Sequence, residues 1–239
     1  MRSNVVVASL VIALLPQCMR VTEGIEVDVS YQPAATPAQI RTDLGYRVAL
    51  NRALLVVGQI ELIRCDNFVA ELWQLFVPAR ARAHVLETPT RLGEPLVLDL
   101  MESVGFAEYA GTMKPPPGRY CGVRVIATPA DADAVGLTDK NREMTSHSLL
   151  VEGRTVGDVN AETPFETRIE GPLELEIEFE RPLILDRPGV EPVAVRIAQR
   201  RWFDGIDFAH LSPAEMQREV AENLRISLEV ELVDWEDGS

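Results

Sequence analysis

The side chains best suited to chemistry in this sequence are three histidines and a methionine: His84, Met144, His147 and His210. Neutral imidazoles with a thioether form a soft donor set, and a site built from His84 and His147 with Met144 would suit copper. No two histidines are neighbours in sequence, so the fold must assemble any shared site. The plainer reading of each is a surface or hydrogen-bonded imidazole. Two loops offer harder donors, one with Asp131, Asp133 and Asp139, the other with Asp204 and Asp207 around Gly205-Ile206. Such pairs can contribute to a calcium site but are too few to make one alone. An Asx turn, with the side chain capping nearby backbone, is the simpler use. Copper therefore ranks ahead of calcium.

Catalytic signatures are missing. The sequence has no G-x-S-x-G elbow, no H-E-x-x-H, no phosphate-binding loop and no G-x-G-x-x-G. Carboxylates are plentiful, but Glu174, Glu176, Glu178 and Glu180 alternate with apolar residues and read as one solvated sheet face. Catalytic tuning of a carboxyl needs burial, so the chain is expected not to be an enzyme.

The cysteines speak of location. Arg2 precedes an apolar run from Val5 to Leu15, the pattern of a secretory signal peptide over residues 1–17. Leu15-Pro16-Gln17-Cys18 resembles a lipobox, which makes Cys18 the lipidated first residue of the mature chain and residues 18–23 an anchor and linker. Gln17 stands where a lipobox has a small residue, so simple secretion is the alternative to lipidation. Cys65 and Cys121 then form an even pair in an exported chain, which predicts a disulfide; two separate buried thiols are the alternative. Because Cys121, Val123, Val125 and Ala127 share one strand face, the bridge is expected to point into the core.

Period-two patterning supplies the frame for these residues. Ile25, Val27, Val29 and Tyr31 alternate with polar side chains, as do Tyr46, Val48 and Leu50, before a longer apolar run over residues 54–63. Leu173, Leu175, Ile177 and Phe179 alternate with the four glutamates. Val193, Val195 and Ile197 follow, and Leu224, Ile226, Leu228, Val230 and Leu232 read as a closing strand. One-sided strands imply two antiparallel sheets packed face to face, with polar outer faces. The predicted fold is an all-β sandwich over residues 24–239, with one or two short helices at its edges. The Pro115-Pro116-Pro117-Gly118 run cannot lie inside a sheet and reads as a turn into the strand that starts near Tyr120. Pro182 and Pro192 read as strand boundaries.

Ser212-Pro213-Ala214-Glu215 is a capping box with Pro at the first helical position, and Met216, Val220 and Leu224 give the helix an apolar stripe. Phe68, Leu72 and Phe76 suggest a second helix ending before Pro78. Between the Val193 strand and the capped helix lies Trp202-Phe203-Asp204-Gly205-Ile206-Asp207-Phe208. Gly205 permits a positive-φ turn that would fold these aromatics back beneath the helix as a structural plug. Asp204 and Asp207 would then satisfy backbone donors of the turn.

With 37 acidic against 23 basic residues, the formal net charge is −14, which makes nucleic acid an unfavourable partner. The order of pieces resembles exported β-sandwich lipoproteins of bacteria. These pieces are the run from Tyr46 to Cys65, Ala83-His84-Val85, Pro117-Gly118-Arg119-Tyr120, Pro129-Ala130-Asp131-Ala132-Asp133, Ser148-Leu149-Leu150-Val151-Glu152-Gly153 and Arg201-Trp202-Phe203-Asp204-Gly205. More distantly, they resemble the copper-binding surface proteins of methane-oxidising bacteria and the MbnP-like partners of methanobactin systems. In the surface proteins, copper is held by histidines and an oxidised tryptophan in a Trp-x-His arrangement, for which this sequence has no counterpart. The resemblance therefore carries over only His84 and His147 as ligands.

The reading that follows is an exported, membrane-anchored, non-catalytic protein of the periplasm or cell surface that binds copper or another metal. The alternative is a surface module that binds a protein or glycan through loop aromatics such as Trp202 and Phe203. A hydrolase with a loop-assembled site is a third reading and has no motif behind it.

Overall fold

The structure, a computed structural model, describes residues 24–34, 39–65, 88–102, 107–156 and 162–232. The expected signal peptide (1–17), anchor and linker (18–23), and the helix expected over residues 68–76 lie outside these residues. In β1 (Ile25–Pro33), Ile25, Val27, Val29 and Tyr31 are buried and the side chains between them half-exposed. β2 (Ile40–Arg41) is short, and the two apolar runs that follow it are one long strand, β3 (Arg47–Arg64). β4 (Arg91–Leu92), β5 (Leu96–Asp99) and β6 (Glu108–Met113) lead to β7 (Gly118–Ala127). Then come β8 (Leu149–Val156), β9 (Glu162–Ile169), β10 (Leu173–Leu185) and β11 (Gly189–Ile197).

The chain ends its described course with helix α1 (Pro213–Arg225) and strand β12 (Leu228–Leu232). Leu224 therefore belongs to the helix and Ile226 caps it, 58% exposed, so the closing strand is shorter than its pattern implied. The capping box prevails over strand alternation here. Ser212 Oγ accepts from the Glu215 backbone N–H, Glu215 Oε2 accepts from the Ser212 N–H, and Met216, Val220 and Leu224 fall on the buried stripe.

Two sheets face each other. One has the order β12-β11-β1-β6; the other is built on β3, in the order β10-β7-β3-β8-β9, with β2, β4 and β5 also paired to β3. The all-β sandwich is as the sequence implies. Its sheets are not wholly antiparallel, because β1 runs parallel to β11 while the other strand pairs among the described residues are antiparallel. A parallel pair needs a long crossover. Here β2 to β10, all but β6 in the β3-centred sheet, intervene between β1 and β11 and serve as that connection. The Pro115–Pro117 run carries the chain from β6 in one sheet to β7 in the other, where Tyr120 Oη donates to the Pro116 carbonyl at 2.8 Å.

The expected polar outer face fails at β3. Residues 53–60 are buried without interruption. One face, through Leu55, Val57 and Ile60, joins the core between the sheets. The other, through Leu54 and Val56, packs with Val97, Leu150, Ala130, Ala134 and Met144 in a second apolar cluster. The segment from Ala130 to Met144 covers the outside of the sheet there. A strand buried on both faces loses its alternation, which accounts for the continuous apolar run.

Pro182 and Pro192 lie inside strands rather than at their boundaries. Across Pro182 the register on β7 breaks, advancing from Glu178–Gly122 to Leu183–Tyr120. Pro192 falls just before the stretch of β11 that β12 pairs with, Val193–Ile197. The break at Pro182 spares the β7 ladder a missing donor, and Pro192, opposite Asp28 of β1, stays clear of the β12 ladder.

Candidate functional site

A 3₁₀ turn, Asp139–Thr145, positions Met144 and His147, and Thr138 and Asn141 cap it reciprocally. Met144 is fully buried within the second apolar cluster, so its thioether would have to leave that packing to reach a metal. His147 is 9% exposed, and its Nδ1 donates to the Glu143 carbonyl at 2.8 Å. In a neutral imidazole that bond leaves Nε2 as the acceptor nitrogen, the arrangement a ligating imidazole adopts. His84 lies outside the described residues. Among the described residues, no three His, Cys, Asp or Glu side chains converge on one point. Burial pushes the Glu143 carboxyl up, but its backbone hydrogen bond and its ion pair with Arg52 outweigh this and hold it below the usual range. Arg52 also donates to the Lys140 carbonyl at 2.8 Å, pinning the turn to β3.

The third histidine joins a surface network. Tyr46 Oη donates to Asp207 Oδ1 at 2.7 Å, and His210 Nδ1 donates to Asp207 Oδ2 at 2.7 Å. The Ala209 backbone N–H donates to Asp207 Oδ1 at 3.0 Å, completing an Asx turn. The Tyr46 hydrogen bond, then those from His210 and Ala209, lower the Asp207 carboxyl to about 2. Such a carboxylate is a poor proton acceptor at neutral pH. Sequence reading places Asp207 in a turn but misses Tyr46, which is 161 positions away.

The segment around this network is a plug. Trp202, Phe203 and Ile206 are fully buried, and Gly205 takes φ +73°. Asn223 of α1 donates to the Trp202 and Asp204 carbonyls at 3.1 and 2.7 Å. Phe208 packs edge-on to Tyr46 at 5.4 Å between ring centres and against Phe165 at 5.2 Å. Asp207 serves the turn as expected, but Asp204 does not share that role: the Gly205 N–H goes to Asp43 Oδ1 at 2.8 Å. Buried as they are, Trp202 and Phe203 present no ring to a partner and belong to the core, contrary to their expected use as docking anchors.

Cys65 and Cys121 are joined, with Cα atoms 4.9 Å apart. Both are half-buried rather than in the core. The β3–β7 register slips between Ile63–Gly122 and Arg64–Tyr120, so Tyr120 takes the inward position that strand parity assigns to Cys121. Gly122 lies in this bulge because a Cβ there would come within 2.4 Å of the Ile177 carbonyl oxygen on β10.

Edge strands β10 and β12, one from each sheet, border a cleft of about 650 Å³. Ile177, Phe179, Leu228, Val230 and Leu232 are its apolar lining; Glu178, Glu180, Glu229, Glu231, Arg181 and Arg196 are its charged lining. The signal for it was the shared alternation of Leu173-Glu-Leu-Glu-Ile177 and Leu228-Glu-Val-Glu-Leu232 on strands that prove to be edges.

No family model matches the chain, and no curated protein matches it. A solved structure, MbnP from Methylosinus trichosporium, aligns with 73% of this chain and 75% of its own at 10% identity, with a TM-score of 0.34.

Proposed function

We propose that the chain is an exported, membrane-anchored, non-catalytic binding protein, acting in the periplasm or at the cell surface of a bacterium. The observation that carries this reading is the Cys65–Cys121 disulfide, a bridge that persists where the surroundings are oxidising. It agrees with the signal-peptide pattern and with Cys18 as the lipid-bearing residue, so the membrane is the first partner and a protein the second. The ionisable groups support a non-catalytic role: Asp207 is committed to Tyr46, His210 and its own turn, and the β10 glutamates face outward. Expression with the native N-terminus in a bacterial host tests the reading. The wild type belongs in the membrane fraction without free thiols, and Cys18→Ser belongs in the soluble periplasmic fraction. A wild type found in the cytosol with both thiols free overturns it.

A second reading adds a metal, favoured by the orientation of His147. Copper would be held by His147 Nε2 together with His84. Roughly one copper per purified chain, lost in the His84→Ala/His147→Ala variant, is the expected result; unchanged copper in that variant would overturn it.

A further inference from the structure

We infer that the cleft between β10 and β12 receives an extended segment of a partner protein in which basic and apolar residues alternate. The inference rests on the reading of the chain as a non-catalytic binding protein and names the class of its partner. Among the described residues, β10 pairs only with β7 and β12 only with β11, so each has an edge beside the cleft that no other described strand pairs with. A strand added to such an edge gains main-chain hydrogen bonds, and its alternate side chains enter the neighbouring cleft. The apolar residues bordering the cleft are Ile177, Phe179 and Leu228, each buried in the core, and the half-buried Val230. From Glu178 to Leu183 the β10 ladder skips residues against β7, so residues 179–182 bulge beside the cleft.

The charges select the occupant. Arg124 holds Glu174 and Glu176 at 2.8 and 3.3 Å, and Arg196 holds Glu231 at 2.7 Å. Glu178, Glu180 and Glu229 make no ion pair among the described residues, and Arg181, the remaining cation of the lining, already has a partner. A second copy of the chain, itself at −14, would set glutamate rows against glutamate rows, which is destabilising directly across a ladder. An incoming strand with lysine or arginine on its outward face would meet those rows instead.

The probe is a nonapeptide of alternating lysine and valine, titrated calorimetrically into the full mature chain, with a glutamate–valine peptide as control. The lysine peptide should bind and weaken about tenfold or more between 50 and 300 mM salt, as screening removes the carboxylate attraction. It should slow amide exchange in β10 and β12. Glu178→Lys/Glu180→Lys should weaken binding about tenfold or more, whereas Glu162→Lys on the far strand β9 should not. These side chains are exposed, so the variants should retain the wild-type circular dichroism. Equal binding of the glutamate peptide, no binding of the lysine peptide, unchanged binding by the double variant, or dimerisation through this edge in sedimentation would each overturn the inference. A chain that fails here while remaining exported, anchored and disulfide-bonded loses only this inference; fractionation and thiol counting decide the broader reading independently.

Discussion

Trp202 Nε1 donates to Ser227 Oγ at 2.8 Å, and Ser227 in turn donates to the Leu224 carbonyl at 2.9 Å. The two residues tie the loop after β11 to the joint between α1 and β12. All three groups are buried, so each bond satisfies a polar atom that water cannot reach.

This relationship predicts a graded response at Trp202. Trp202→Phe keeps most of the ring but leaves Ser227 without its donor, costing about 1–3 kcal/mol. Trp202→Ala also removes the buried indole and should cost about 3–5 kcal/mol. Thermal unfolding should rank wild type above Phe above Ala. Equal midpoints for Phe and wild type would show that the bond contributes nothing.

The disulfide closes a loop with a sequence separation of 56. By the chain-entropy relation, its removal in Cys65→Ala/Cys121→Ala should destabilise the fold by about 4 kcal/mol. Denaturant unfolding of the double variant, and of reduced wild type, measures this directly; the two should agree within about 1 kcal/mol if the bridge acts through the unfolded chain.

Asp207 should give the stability a specific acid dependence. Its folded value, about 2, lies below the ordinary 3.8, so its contribution is present above about pH 4 and is lost as pH falls toward 2. Asp207→Asn should lower stability at pH 7 and flatten the slope between pH 4 and pH 2. Because Tyr46 supplies the largest lowering, Tyr46→Phe should shift the Asp207 midpoint upward, read by NMR titration of the carboxyl carbon.

Local features were legible because their causes are local. Ser212, Pro213 and Glu215 specify a helix start within four positions, and β1 and β10 declare their buried faces by alternation alone. The outward apolar side chains Leu54 and Val56 are visible as a run, but nothing in β3 says that Ala130, Ala134 and Met144 will cover them. The inward place of Tyr120 escapes strand parity because the slip arises in pairing with β3 and beside a longer break on β10. Pairing register is a property of two strands, and a one-residue slip reverses every face assignment after it. Tyr46 and Asp207 likewise meet only once β3 and the loop before α1 are placed.

The last prediction separates packing from ligation at Met144. Its side chain is fully buried with Leu54, Val56, Val97, Ala130, Ala134 and Leu150, all apolar, and the hydrogen bonds of the 3₁₀ turn hold it there. Met144→Leu conserves volume and should cost less than about 1.5 kcal/mol. Met144→Ala opens a cavity and should cost about 2–5 kcal/mol. Neither substitution removes the Nδ1 hydrogen bond from His147 to the Glu143 carbonyl, since that acceptor is backbone. Any copper bound through His147 should therefore survive Met144→Leu unchanged, as measured by metal analysis of the purified protein. A Met144→Leu variant with wild-type stability that has lost its copper would instead make the thioether a ligand and require residues 139–145 to swing out of the cluster.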